Sequence, residues 1–102
     1  MPRRGEVWVV DLGLAQTVRP ALVLNIPYHD ADRALITIVS HSTMLRGFEF
    51  EVAVDVPFLK KGAFVTQSLI TIPSKLALRK LGSLTPAQLA LVEQGVRRWL
   101  GL

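Results

Sequence analysis

Two short segments of the sequence carry the side chains best suited to chemistry. Ser40-His41-Ser42-Thr43 places three hydroxyls and an imidazole in four consecutive residues. Such a run of donors could hold a phosphate, although Ser and Thr are also ordinary turn residues. In Arg19-Pro20, the proline fixes its own backbone and biases the arginine toward an extended conformation. A guanidinium held in this way could bind two phosphate oxygens at once, and the alternative is a solvated arginine.

These two segments flank a pair of predicted strands. Pro20–Asn25 and Ala34–Val39 are continuous apolar runs, the pattern of strands buried on both faces. If the two strands pair antiparallel through residues 26–33, the start of the first lies beside the end of the second. Arg19 then faces Val39 and Ser40. The sequence therefore predicts that the arginine and the hydroxyl-rich segment share one edge of a sheet.

Other segments predict further strands and one helical turn. Glu6–Leu12 is rich in β-formers, and Gly62–Ile72 predicts a strand broken at Gln67-Ser68. Phe48–Val54 alternates, which predicts a strand with its apolar residues on one face and its two glutamates in solvent. A short helical turn is expected over Ser74–Leu81, ended by Gly82.

The tail of the chain changes to a helical period. Thr85 is the expected N-cap, Pro86 occupies the first helical position, and Gln88 can close a capping box. Apolar residues then recur at helical spacing and should pack on the sheet; they are Leu89, Val92, Val96 and Trp99. We therefore expect a mainly β single domain over residues 1–102, a small barrel or strongly curved antiparallel sheet closed by one helix.

Composition limits the classes of function. Half of the 102 residues are hydrophobic and 20% are charged, which excludes global disorder. The absence of cysteine excludes a disulfide scaffold, a thiol nucleophile and a cysteine-based zinc site. With two histidines, a dedicated metal centre or cofactor is not expected. No apolar run approaches the length of a membrane span, so we expect a soluble cytoplasmic protein.

Charge is distributed unevenly along the chain. Residues 52–102 carry seven basic and two acidic side chains, whereas residues 1–51 carry five basic and six acidic ones. The sequence pI is about 10.1. A basic balance of this kind is typical of nucleic-acid binding but is not specific for it, and a solvated basic surface is the alternative.

The order of three motifs resembles the MazF/PemK toxin family. They are Arg4-Gly5-Glu6-Val7-Trp8, Arg19-Pro20-Ala21-Leu22-Val23-Leu24 and Arg46-Gly47-Phe48-Glu49-Phe50-Glu51-Val52. The similarity continues to the C-terminal helix and covers nearly the whole chain. It implies an SH3-like barrel, a homodimer, and the toxin of a type II toxin–antitoxin pair whose antitoxin has an acidic tail. It also implies a metal-independent, sequence-specific endoribonuclease that cleaves single-stranded RNA through its own 2′-OH.

The resemblance also assigns roles to residues. Arg19 falls on the family's catalytic arginine, and Ser42 falls on its catalytic hydroxyl. Gln67 falls on a residue that lines the RNA groove, and Thr43 and Arg46 are further candidates for RNA binding. His41 is the third catalytic candidate, because an imidazole with an ordinary pKa near 6.5 is suited to proton transfer at neutral pH. A solvated loop histidine is the alternative.

The sequence departs from the family pattern at several positions. Ser40 and Ser42 stand where a proline and a threonine are usual, and Thr66 stands where an acidic residue often precedes the groove glutamine. Residues 12–18 contain no acid, although some members carry one in the corresponding loop. Two alternatives to the nuclease therefore remain: a non-catalytic, CcdB-like toxin that binds gyrase, and an inactive or weakened binding module on the same fold.

Overall fold

The strands form one antiparallel sheet, followed by a single helix. The computed structural model describes residues 1–13 and 18–102. Within them lie β1 (Glu6–Asp11), β2 (Val18–Val23), β3 (Leu35–Ser42), β4 (Glu51–Val52), β5 (Ala63–Val65), β6 (Ile70–Pro73), β7 (Ala77–Ser83) and α1 (Pro86–Leu100). The strand order is β4-β5-β3-β2-β1-β7, and β6 also pairs with β3. Every pairing is antiparallel.

The predicted fold class, mainly β with a C-terminal helix, is confirmed. Strands β4 and β7 stand at the two ends of the strand order. Among the described residues the sheet is therefore unclosed, an open form of the expected small barrel. No helix in residues 1–13 and 18–102 is long and apolar enough to cross a membrane.

Two predicted elements are wrong in detail. Only Ser74–Leu76 forms a helical turn, of the 3-10 type, and β7 follows it directly. Residues 77–83 form a strand because they pair with the edge of β1 that β2 leaves free. The hydrogen bonds between β1 and β7 stabilise the extended backbone of β7. The alternating segment at residues 48–54 contributes only the two residues of β4. Phe48 is 67% exposed rather than packed on an apolar face.

The sheet separates two hydrophobic clusters. Cluster one lies between the sheet, the helix and the segment after β4; its buried members are Val7, Leu22, Val39, Val54, Phe64, Leu84 and Val92. Cluster two lies on the other face; its buried members are Val10, Ala21, Val23, Ile36, Ile38 and Ile72. Strands β1, β2 and β3 contribute to both clusters, which explains why β2 and β3 are continuous apolar runs.

The helix begins as the sequence predicts. The Thr85 Oγ1 accepts a hydrogen bond from the Gln88 amide at 3.2 Å, and the Gln88 side chain accepts one from the Thr85 amide at 2.9 Å. This reciprocal pair is the predicted capping box. Gly101 ends the helix with a φ of 73°, a left-handed conformation that glycine adopts without strain.

The Arg4–Trp8 motif has a structural role. The Arg4 guanidinium donates to the Leu24 carbonyl and forms an ion pair with Glu93 of the helix. Glu6 accepts hydrogen bonds from Trp8 Nε1 at 3.1 Å and forms an ion pair with Lys80 of β7 at 2.8 Å. Although its partial burial raises the pKa of Glu6, these contacts leave that pKa below its usual value. The motif thus ties β1 to both the helix and the edge strand.

Candidate active site

Strands β2 and β3 position the arginine and the hydroxyl-rich segment. Their antiparallel pairing is confirmed, with Ala21 opposite Ser40 and Leu22 opposite Val39. This register differs by two to three residues from the expected one. Continued past Ala21, it brings Arg19 level with Ser42 instead of Val39 and Ser40. The difference arises because β3 extends through Ser42, so that the polar residues lie on a strand and not in a loop.

Strand alternation separates the candidate side chains by face. Cross-strand partners point to the same side of a sheet, and Ala21 belongs to cluster two. Arg19 and Ser42 therefore share that side. His41 points to the opposite side, where its ring lies edge-on to Phe64 of cluster one at a centroid distance of 5.1 Å. The side chains of Arg19, Ser42 and His41 therefore reach the same end of the sheet from its two faces.

One pocket of about 520 Å³ collects four of the predicted site residues. Arg19, His41, Ser42 and Thr43 all line it. Its remaining wall comes from the neighbouring Val18, Pro20 and Met44, from the segment after β4 and from β7, with Phe58, Leu59, Lys60 and Leu81. A guanidinium, hydroxyls and an apolar wall in one open pocket fit a phosphate with its attached organic groups.

The other two predicted residues line an adjacent pocket. Arg46 and Gln67 border a second pocket of about 270 Å³, together with Phe48, Glu51, Val65 and Met44. Met44 lines both pockets. The six candidate residues therefore fall into two neighbouring groups, with Arg46 and Gln67 outside the pocket that contains Arg19.

The hydroxyls of Ser42 and Ser40 make different hydrogen bonds. The Ser42 Oγ accepts a hydrogen bond from the Met44 amide at 3.1 Å, which organises the turn after β3. The Ser42 Oγ donates only a long hydrogen bond of 3.4 Å to the Met44 carbonyl oxygen, so its proton can turn toward a bound oxygen. The Ser40 Oγ donates to Ser68 at 2.9 Å, and Ser68 donates in turn to the Val65 carbonyl at 2.6 Å. Ser40 thus braces β3 against the following turn.

His41 is buried, and the expectation of a solvated loop histidine is wrong. Its relative exposure is 4%, and its Nε2 is buried with no hydrogen-bond partner among the described residues. Burial lowers the pKa of the imidazole, because a charged ring would lose its hydration. His41 is therefore neutral at neutral pH.

This burial makes the stability of the fold depend on pH. The folded state disfavours protonated His41, so the unfolded chain binds more protons in weak acid. We expect stability to be full above about pH 6.5, the ordinary value for the unfolded chain, and to decrease from there toward the lowered pKa of the folded state. Urea unfolding between pH 7.5 and 5 measures this loss. It should disappear in His41→Leu, which cannot titrate, and persist in His29→Leu, which leaves His41 in place.

Gln67 is presented by a short turn. It is exposed on the 3-10 turn Thr66–Ser68, between β5 and β6. The buried Thr66 fixes this turn, because its Oγ1 and its amide both donate to the Phe50 carbonyl, at 2.8 and 2.9 Å. The threonine that replaces the family's acidic residue thus has a packing role.

Glu51 is a site residue that the sequence analysis placed in solvent. Its carboxylate accepts hydrogen bonds from the amides of Arg46, Gly47 and Phe48, at distances from 2.7 to 3.2 Å. These amides, with Arg46 first, lower the pKa of Glu51. The carboxylate therefore holds the loop that carries Arg46. In the sequence, a turn at this position is indicated by Gly47, and in the structure this glycine has a φ of 79°.

The chain matches a known toxin family over nearly its whole length. Residues 3–100 match the family of PemK-like, MazF-like toxins of type II toxin–antitoxin systems. The chain belongs to this family. The match extends over β1 to α1 and so includes both pockets. No curated protein matches the chain in sequence.

Several solved MazF-type structures share the fold. A mycobacterial endoribonuclease, solved with its cognate antitoxin, is 24% identical and superimposes with a TM-score of 0.85, over 100% of this chain and 97% of that one. MazF in a MazE–MazF complex from Deinococcus radiodurans is 20% identical, with a TM-score of 0.83 over 99% and 96%. The toxin MazF-mt6 from Mycobacterium tuberculosis is 24% identical, with a TM-score of 0.79 over 95% and 97%.

Proposed function

We propose that this MazF-like toxin is an endoribonuclease that cuts single-stranded RNA in the cytoplasm without a metal ion. The observation that carries this proposal is that Arg19, His41 and Ser42 line one pocket at the end of the paired strands β2 and β3. Support also comes from the family match and from the mycobacterial relative, which is itself an endoribonuclease.

The reaction needs little from the protein, because RNA supplies its own nucleophile. The 2′-OH attacks the adjacent phosphorus, and the 5′ oxygen of the next nucleotide leaves. The protein must remove one proton, stabilise the extra charge on the phosphorane and return a proton to the leaving oxygen. Arg19 stabilises the charge, because its fork matches two phosphate oxygens. Ser42 donates a hydrogen bond to the same phosphate.

His41 is our candidate for proton transfer. A guanidinium presents donors only, and a serine hydroxyl is a weak base. A neutral imidazole can accept the 2′ proton, and the lowered pKa of His41 keeps it neutral at neutral pH. Thr43 lines the same pocket, whereas Arg46 and Gln67 line the second one. We assign these three residues to binding of the RNA on either side of the cut.

Incubation of the purified protein with a long RNA in the presence of a chelator tests the activity. We expect fragments ending in a 2′,3′-cyclic phosphate and beginning with a 5′-OH, since the attacking oxygen is internal. Cleavage that requires added magnesium would overturn the mechanism. RNA that stays intact under all conditions would leave the gyrase-binding or inactive alternatives.

Loss of the Ser42 hydroxyl should slow RNA cleavage less than loss of the charged Arg19 side chain. Ser42→Ala removes a neutral donor, and we expect single-turnover cleavage to fall about tenfold, the effect of one ordinary hydrogen bond. Ser42→Thr keeps the hydroxyl and should retain most of the activity. Ser83→Ala, which removes an exposed hydroxyl of β7 outside both pockets, serves as the matched control. Equal rates for Ser42→Ala and the parent would remove Ser42 from the mechanism.

We also propose two protein partners, a second copy of the chain and an antitoxin with an acidic tail. A chain of this size that is 50% hydrophobic leaves apolar surface that a symmetric dimer would cover. The relatives from mycobacteria and Deinococcus radiodurans were solved with antitoxins. Sedimentation at micromolar concentration should give twice the 11.3 kDa chain mass; a monomer at that concentration would contradict the dimer.

A further inference from the structure

Exposed aromatic rings surround the loop before β4. Phe48 is 67% exposed and Trp99, near the end of the helix, is 43% exposed. The Trp99 ring stands edge-on to Phe50, with centroids 5.3 Å apart. We call these three side chains, Phe48, Phe50 and Trp99, the aromatic platform. Large aromatic side chains left this open on a small domain indicate a binding surface.

A tight turn carries two of the three platform rings, Phe48 and Phe50. The Glu51 amide donates to the Phe48 carbonyl at 3.1 Å, which closes a turn over residues 48–51. Phe48 lines the second pocket on one side of this turn. Phe50, on the other side, meets the helix. The Glu51 carboxylate fixes the amides just before the turn, so the rings are presented by an ordered backbone.

The platform is continuous with the candidate active site. Phe48 shares the second pocket with Gln67 and Arg46. Met44 belongs to that pocket and also to the one that contains Arg19. A strand of RNA whose phosphate is bound at Arg19 can therefore continue past Gln67 and reach the rings without leaving the surface.

The charges around the platform suit a polyanion. The Arg98 guanidinium donates to the Glu49 carbonyl at 3.4 Å, which places it beside the rings, and the exposed Arg46 lines the second pocket with Phe48. Two acids face the same region. Glu51 has its carboxylate bound to three amides, and Glu49 is exposed. Because the Glu51 carboxylate is already bound by these amides, the two arginines, Arg46 and Arg98, remain available to a polyanion.

We propose that the aromatic platform stacks one or two bases of the single-stranded RNA beyond the cut, on the side that passes Gln67. This inference rests on the proposed nuclease function and extends its binding surface. Aromatic faces bind any base, and neighbouring arginines hold the backbone phosphates. The platform therefore adds affinity for longer RNA with little dependence on the base.

Binding of RNA that carries a 2′-deoxy nucleotide at the cut tests the proposal without cleavage, because the attacking oxygen is absent. The probes are a labelled RNA of about twelve nucleotides that spans a mapped cut and the same RNA trimmed close to the cut. Phe48→Leu keeps an apolar side chain but removes the ring, and should weaken binding of the long RNA about tenfold. Phe48→Trp restores a ring and should restore affinity. The trimmed RNA should not distinguish these variants.

Two controls separate stacking from general effects. Leu78→Ala removes a similarly exposed apolar side chain from β7, at the other end of the strand order, and should leave RNA affinity unchanged. Trp8→Phe leaves Trp99 as the one tryptophan of the chain. In this variant the long RNA should quench the fluorescence of Trp99, and the trimmed RNA should not.

The outcomes distinguish this proposal from the nuclease function itself. If the parent cuts RNA but Phe48→Leu binds the long RNA as tightly as Phe48→Trp does, the stacking proposal is wrong. Equal RNA binding combined with a shifted dimer equilibrium would instead identify the platform as a protein interface, and would also overturn it. If the parent neither cuts nor binds RNA, the nuclease function has failed first.

Discussion

Arg19→Ala should slow RNA cleavage by roughly a hundredfold to a thousandfold. Loss of one donor that stabilises transition-state charge typically raises a barrier by about 3–4 kcal/mol. Arg19 lines the candidate pocket, and its backbone is fixed by pairing with Val10 on β1. Arg19→Lys keeps the charge but loses the bidentate fork, and should fall between the alanine variant and the parent. Single-turnover cleavage in chelator measures all three rates.

The matched control for this experiment is Arg33→Ala. Arg33 is an exposed arginine in the segment between β2 and β3, and its loss changes the net charge equally. It should cut RNA at the parental rate. Circular dichroism checks that each variant is folded. Arg19→Ala cutting as fast as Arg33→Ala would show that the site is wrongly assigned.

Gly62→Ala should damage both stability and cleavage. A Cβ at this position would lie 2.3 Å from the Ser42 carbonyl oxygen and 2.9 Å from the His41 ring. Ser42 pairs with Ala63 on β5, so the clash forces a shift of the strands that hold the site. Overpacking of this kind typically costs about 1–3 kcal/mol of unfolding free energy. A displacement of about 1 Å can slow a reaction about a hundredfold.

Gly101→Ala provides a control that separates the two losses. Gly101 has a φ of 73° and no atom within 4 Å of an added Cβ, so alanine there costs about 1–2 kcal/mol of backbone strain and touches nothing in the pocket. Urea unfolding and single-turnover cleavage are measured on both variants. Gly101→Ala should be less stable than the parent but fully active. A Gly62→Ala protein with parental activity would contradict the close approach described above.

The sequence predicts the meeting of Arg19 with the hydroxyl-rich segment, but not its register. The predicted strand ended at Val39, since Ser40-His41-Ser42 looks like a polar turn. The strand continues because β5 pairs with His41 and Ser42. A partner strand that lies more than 20 residues away along the chain leaves no sign in the local pattern. The same pairing places His41 against Phe64 and so buries it.

In the C-terminal half, too, the element set by local residues was predicted and the element set by a distant partner strand was not. The capping residues Thr85, Pro86 and Gln88 act within a few residues of each other, and the helix is predicted correctly. Strand β7 was missed, because its stability comes from its pairing with β1 and not from its own composition. The predicted loop at residues 12–18 lies partly outside the described residues. Phe58 and Lys60 were not expected in the pocket, since a loop has no period that would orient them.

The ion pair between Arg4 and Glu93 joins the first strand region to an element that follows all seven strands. Val92, next to it, completes cluster one. During synthesis, the apolar face that later becomes the interior stays uncovered until the helix leaves the ribosome. Contacts between such distant positions slow folding, and chains with open apolar faces attract other proteins. Until the helix packs on the sheet, the chain is therefore more open to association with other proteins than the folded domain is.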